Sequence, residues 1–134
     1  MPFVHRLRVR FHECDPQGVV FNAHYFSYFD VALTEMWREA FGSYANVVAD
    51  GTDVVVVEAG ATFRAPARFD DEVDVELAIE RLGTTSMTMA ATVRRAGELL
   101  VEGRMVHVFV DPATMGKKEI PADVRAGLEP YATA

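Results

Sequence analysis

Apolar and polar residues alternate from Arg6 to Phe11, with Leu7, Val9 and Phe11 on one side and Arg6, Arg8 and Arg10 on the other. A period of two belongs to a strand with one buried face. The alternation stops over His12–Gly18, where Asp15-Pro16 and Gly18 mark a loop. The period then changes. Phe26, Phe29, Leu33, Met36, Trp37 and Ala40 recur at steps of three and four, which is the apolar stripe of a helix. Asn22 is the predicted N-cap, since its side chain can accept from free first-turn amides. Gly42-Ser43 ends or bends the helix, and a short helical turn is expected to continue to about Val48.

From Gly51 the signals are those of strands. Asp53–Phe63 is valine-rich and interrupted by Ala59-Gly60, which predicts a long strand with a bulge or bend there. Arg64–Asp71 is turn-rich. Val73, Val75, Leu77 and Ile79 then alternate with polar residues, and after Gly83-Thr84 so do Met87, Met89, Ala91 and Val93. Ala96-Gly97 turns the chain into a last long strand, Glu98–Asp111, which Pro112 closes because it has no amide hydrogen for a ladder. Pro121–Tyr131 has room for a short amphipathic helix. Successive hairpins make an antiparallel sheet, and one long apolar helix must cover its buried face. The expected fold is α+β, a sheet wrapped around one long central helix, with residues 1–134 as a single domain.

Composition narrows the partners. Half of the 134 residues are apolar, so a packed core is expected rather than disorder. A net charge of −7 disfavours a nucleic-acid partner, which needs a basic face to displace phosphate counterions. One cysteine, Cys14, excludes an intrachain disulfide and suits a reducing compartment. The N-terminus has no apolar signal region, and the longest apolar run, Val54–Val57, is far too short to span a bilayer. A cytoplasmic protein with no membrane partner is expected.

The densest chemistry lies between Glu13 and Tyr25. A carboxylate, Asp15, sits in a glycine-bearing loop just before a long helix. A helix start offers unpaired amides and partial positive charge, which can hold a carbonyl oxygen as it gains negative charge in acyl transfer. The carboxylate can attack that carbonyl or activate a water. Asp-Pro is also a common turn dipeptide, so the residues alone leave a purely structural Asp15 equally open.

Here the sequence resembles the 4-hydroxybenzoyl-CoA thioesterase branch of the hotdog superfamily. Its Asp-x-x-Gly-[Val/Ile]-Val-[Phe/Tyr]-x-x-x-Tyr motif reads as Asp15, Gly18, Val19, Val20, Phe21 and Tyr25, followed by Phe29-Asp30 and Ala32. Ala65-Pro66-Ala67-Arg68-x-Asp70-Asp71, Ser86 and Ile120-Pro121 also fit. The resemblance implies a hotdog acyl-CoA thioesterase, with Asp15 as nucleophile or general base and the Asn22 backbone amide polarising the thioester carbonyl. It places Gly18, Phe21, His24 and Tyr25 around the substrate. Two departures stand out: Asn22 replaces a histidine common in relatives, and Gly83-Thr84-Thr85 replaces an arginine cluster that one branch uses. The coenzyme A phosphates then need other cations. Arg64 and Lys118 are candidates, drawn from the pairs Arg64/Arg68, Arg94/Arg95 and Lys117/Lys118.

The resemblance also implies a homodimer or homotetramer with the sites at a shared interface. No cofactor is expected beyond the coenzyme A of the substrate, and no metal, since His12, Cys14 and His24 lack zinc-site spacing. Glu58 reads as a solvated strand residue, Glu13 as an outward carboxylate, Cys14 as a buried thiol, and His5 and His107 as ordinary strand residues. Trp37 reads as core. Three rival functions remain: a thioesterase for acyl-carrier-protein thioesters, a non-catalytic acyl-binding module, and a hydratase using His24.

Overall fold

The computed structural model describes residues 1–133. The chain forms β1 (Phe3–Arg8), a long helix α1 (His24–Phe41), a short α2 (Tyr44–Ala49), four strands β2 (Asp53–Phe63), β3 (Glu72–Leu82), β4 (Ser86–Arg95) and β5 (Glu98–Val110), and α3 (Ala122–Leu128). The sheet is antiparallel throughout, in the order β1-β3-β4-β5-β2, so β1 and β2 are its two edges. This is the expected α+β arrangement, with α1 packed on the sheet.

The alternation in β3 and β4 predicts the buried face correctly. Val75, Leu77, Ile79, Met87, Met89, Ala91 and Val93 are fully enclosed, and Val73 nearly so. From α1 come Tyr25, Tyr28, Phe29, Ala32, Leu33, Met36 and Trp37. Phe26 and Ala40, expected on the stripe, are only half-buried, and Tyr25, Tyr28 and Ala32 take the inner positions instead. The sheet receives α1 closely at one point. A Cβ at Gly103 on β5 would stand 2.7 Å from Phe29, nearer than packed carbon atoms approach.

Three local expectations need correction. The first strand runs over Phe3–Arg8 rather than 6–11, and Phe11 is not an inner residue. Pairing with β3 ends just beyond Arg8, and the chain turns into a 3₁₀ helix at Phe11–Glu13. Phe11 is left 77% exposed, edge-on to Phe69. In β2 the register shifts between Val56 and Glu58, so the bulge falls at Val57 and not at Ala59-Gly60. Asn22 is not the N-cap of α1. Ala23 holds that position in helical conformation with no side-chain cap, because the helix opens through a tight turn in which the amides of His24, Tyr25 and Phe26 reach carbonyls three residues back. Ser43 does cap α2, accepting from the Asn46 amide. No helix among the described residues is long and apolar enough to cross a membrane.

Candidate active site

The loop before α1 is a miniature hairpin. The amide of Asp15 donates to the Val19 carbonyl at 2.9 Å, and that of Gly18 to the Asp15 carbonyl at 2.9 Å. Gly18 turns the chain at φ +80°, the left-handed region that a residue without Cβ adopts freely. The turn leaves Asp15 lining one cleft with Asn22 at the helix start. One oxygen of its carboxylate, Oδ1, accepts from the Gln17 amide at 2.8 Å, which fixes the side chain.

The hairpin is held to the rest of the fold by the Ala65–Asp71 segment. Val20 donates to the Ala67 carbonyl at 2.9 Å, and Val19 bridges Arg68. From the helix, the buried Tyr25 hydroxyl accepts from the Ala67 amide at 3.1 Å. Burial raises the Tyr25 pKa, so this phenol stays protonated near neutrality. On the far side Arg95 donates to the Pro66 carbonyl at 3.2 Å and to Asp71 at 2.8 Å. Desolvation alone pushes the Asp71 carboxyl up, but the Arg68 amide and the Arg95 guanidinium together hold it below its ordinary value. A carboxylate, a guanidinium and a buried phenol thus fix the corner opposite Asp15.

Between hairpin, helix start and corner lies a cleft of about 350 Å³, lined by Asp15, Gln17, Val19, Val20, Asn22, Tyr25, Phe63, Arg64, Ala65 and Pro66. Among the described residues, the amides of Asn22 and Ala23 find no acceptor, whereas those of His24, Tyr25 and Phe26 are engaged. The cleft therefore gathers a half-buried carboxylate, a free amide at a helix start, and an apolar wall that includes Phe63. That combination is suited to polarising a carbonyl and delivering a nucleophile to it.

The remaining predicted residues are placed as follows. Arg64 lies in the cleft, with its guanidinium 2.5 Å from Glu102. Gly18 shapes the loop rather than lining the cleft. Phe21 is half-exposed and stands edge-on to His24, just outside the cleft wall. Lys118 lies elsewhere in the chain. Its ammonium donates to the Gly51 carbonyl at 2.8 Å beside Asp50 and α3. Arg94 pairs with Glu76, and Arg95 with Asp71 and Glu98. Glu13 is not simply outward: it accepts from the Arg10 amide and from the Tyr28 hydroxyl, tying the hairpin to α1. Gln17 and Phe63 are cleft residues that sequence reasoning did not single out, and Pro66 entered it only as part of the Ala65–Asp71 segment; Gln17 is an unspecified position of the motif, and Phe63 lies two residues before that segment.

Comparison with known proteins bears on the chain as a whole. The thioesterase superfamily profile matches residues 17–102. The chain is 31% identical over 121 residues to the acyl-CoA thioester hydrolase YbgC of Escherichia coli, covering 90% of each. A solved structure of a hypothetical protein from Thermus thermophilus is 34% identical, with a TM-score of 0.90 over the full length of both chains. Another, from Aquifex aeolicus, is 30% identical with a TM-score of 0.90, covering 95% of this chain and 99% of that one.

Proposed function

The chain belongs to the thioesterase superfamily and has its hotdog fold, and on that premise we propose that this thioester hydrolase acts on acyl-coenzyme A with Asp15 as its catalytic carboxylate. The observation that carries the reading is the meeting of Asp15, the free Asn22 amide and the buried Tyr25 in one cleft. The thioester carbonyl oxygen points at the Asn22 amide, where the partial charge of the helix start favours developing negative charge. Asp15 then either deprotonates a water that adds to the carbonyl carbon or adds itself, forming an anhydride that water cleaves. Either way the C–S bond breaks, the thiolate of coenzyme A leaves, and one water supplies the carboxylic acid oxygen and the thiol proton. Arg64, at the mouth and 55% exposed, is a cation within reach of a phosphate of the coenzyme.

The test is turnover of a panel of acyl-CoAs, read by release of free thiol. Asp15→Asn is expected to lower turnover of the best substrate by at least about 100-fold with the fold retained. Near-wild-type turnover in the purified variant removes Asp15 from the mechanism.

A further inference from the structure

A second cavity, of about 420 Å³, opens between the same two elements that wall the Asp15 cleft. Tyr25 on α1 and Phe63 on β2 pack with ring centroids 5.6 Å apart where these two elements wall the Asp15 cleft. The wall of the second cavity is made by Leu33 and Trp37 from α1 and by Val54 and Val56 from β2. Leu33 lies about 12 Å further along the helix axis than Tyr25, at the 1.5 Å rise of an α-helix. The two cavities share no lining residue, so an acyl group whose thioester sits at Asp15 reaches the second one with its far end when its body runs between α1 and β2 over about that length.

One polar residue in that apolar wall is unexplained by the fold. His107 on β5 is 2% exposed and lines the cavity, yet neither ring nitrogen has a hydrogen-bond partner among the described residues. A buried polar group left unpaired is destabilising, and native structures retain few of them. Val54, Val56 and Leu33 show that an aliphatic side chain suits this environment. Burial also keeps the ring neutral, so it offers one N–H donor and one bare nitrogen acceptor. That pair matches a hydroxyl, which both donates and accepts, or a carbonyl, which accepts. Asp30, Thr34, Tyr44 and Asp53 complete the lining, and the two carboxylates disfavour a ligand ending in a carboxylate.

From this arrangement we infer that His107 is a specificity-determining residue, hydrogen-bonding a neutral polar group carried by the acyl moiety at a distance from its thioester. The inference rests on the thioesterase reading above and narrows its substrate class: a mainly apolar acyl chain or ring bearing a remote hydroxyl or keto oxygen. An acyl group lacking that oxygen leaves the imidazole unpaired, and the site discriminates against it for that reason.

The test compares kcat/KM on two matched pairs, octanoyl-CoA against ω-hydroxyoctanoyl-CoA, and phenylpropanoyl-CoA against its para-hydroxy derivative. In the wild-type chain the hydroxylated member of at least one pair is favoured by about 10-fold or more. In His107→Leu that preference falls to about 2-fold or less, and in His107→Gln part of it returns. Equal ratios in wild type and His107→Leu overturn the inference. A second readout needs neither turnover nor a folded variant. The matched free acids are titrated into the wild-type chain while following the fluorescence of Trp37, the single tryptophan, which lines the cavity. The imidazole nitrogen NMR signal of His107 is followed in parallel. The hydroxylated acid is expected to bind about 10-fold more tightly and to shift that signal; equal binding with no shift overturns the inference. The two readings separate cleanly. Hydrolysis of acyl-CoAs without any hydroxyl preference sinks the role of His107 and leaves the thioesterase reading standing. Discrimination at Trp37 with no hydrolysis of any acyl-CoA does the reverse.

Discussion

A side chain at Gly18 has open space around it but the wrong backbone beneath it. No atom lies within 4 Å of a Cβ built there, yet φ is +80°, where an L-residue is strained by about 1–2 kcal/mol. Relief of that strain rotates the turn that aims Asp15, and a displacement of about 1 Å can cost roughly 100-fold in rate. Asn22 is the opposite case. Its side chain does not cap α1, and its backbone amide survives truncation. Gly18→Val is therefore expected to damage acyl-CoA turnover more than Asn22→Ala, measured on one substrate. The reverse order means that the Asn22 side chain touches the reacting centre. His107 makes a separate prediction about pH. Burial lowers its pKa from 6.5 to about 4. The folded state thus binds this proton less well than the unfolded chain, so the neutral ring's contribution is complete above pH of about 6.5 and is lost as pH falls toward 4. The full loss is on the order of 3 kcal/mol. Urea midpoints at pH 7.5 and pH 4.5 are expected to separate less in His107→Leu than in wild type; equal separations show that carboxylates alone set the acid limb.

Helix α1 and strand β5 meet where a glycine faces a phenylalanine. Phe29 is fully enclosed, and a methyl at Gly103 would stand 2.7 and 2.9 Å from two of its ring atoms. Gly103→Ala is expected to destabilise the fold by about 1–3 kcal/mol, the usual cost of overpacking, read from denaturant unfolding. An unchanged midpoint shows that α1 can lift from the sheet without cost. This contact was not legible in the sequence, where Gly103 is one unremarked position in a strand. What was legible follows from burial. In β3 and β4 one face is wholly enclosed, so alternation alone names its residues. In β1 the alternation continued to Phe11 although hydrogen-bonding to β3 had stopped, and only the ladder decides where a strand ends. The bulge in β2 went to Val57, the last of a valine run that carries no local signal for it, instead of to the glycine. The site was half legible for a similar reason. Asp15, Asn22 and Tyr25 sit close together in the chain, whereas the approach of Phe63 and Pro66 and the distance of Lys118 depend on how the sheet curls. His107 shows the limit best: its phase in β5 places it inward, but nothing in the pattern says that both nitrogens stay unpaired.

The two edges of the sheet are finished differently, and the difference bears on assembly. Strand β1 presents Arg6 and Arg8, both paired to carboxylates and both more than half exposed, which discourages another strand from docking. Strand β2 is guarded more lightly, by the exposed Glu58 beside the bulge at Val57. Over 11 residues it exposes Val56 at 49%, Val57 at 58% and Phe63 at 48%, beside a row of backbone groups that β5 leaves unpaired. A valine-rich edge of this length with so little charge invites a second copy, and antiparallel pairing of two β2 strands satisfies both edges at once. Such pairing brings the Phe63 end of one β2 alongside the Asp53 end of the other, so each Asp15 cleft gains a wall from the partner subunit. A dimer, or a dimer of dimers, is the expected state by light scattering at micromolar concentration. Val57→Lys sets two ammonium groups near the symmetry axis, where like charges repel in a partly desolvated interface. It is expected to shift the protein toward monomer and to lower turnover in step, because a cleft with one wall missing holds an acyl group poorly. A monomer with full wild-type turnover contradicts both the assembly through β2 and the shared cleft.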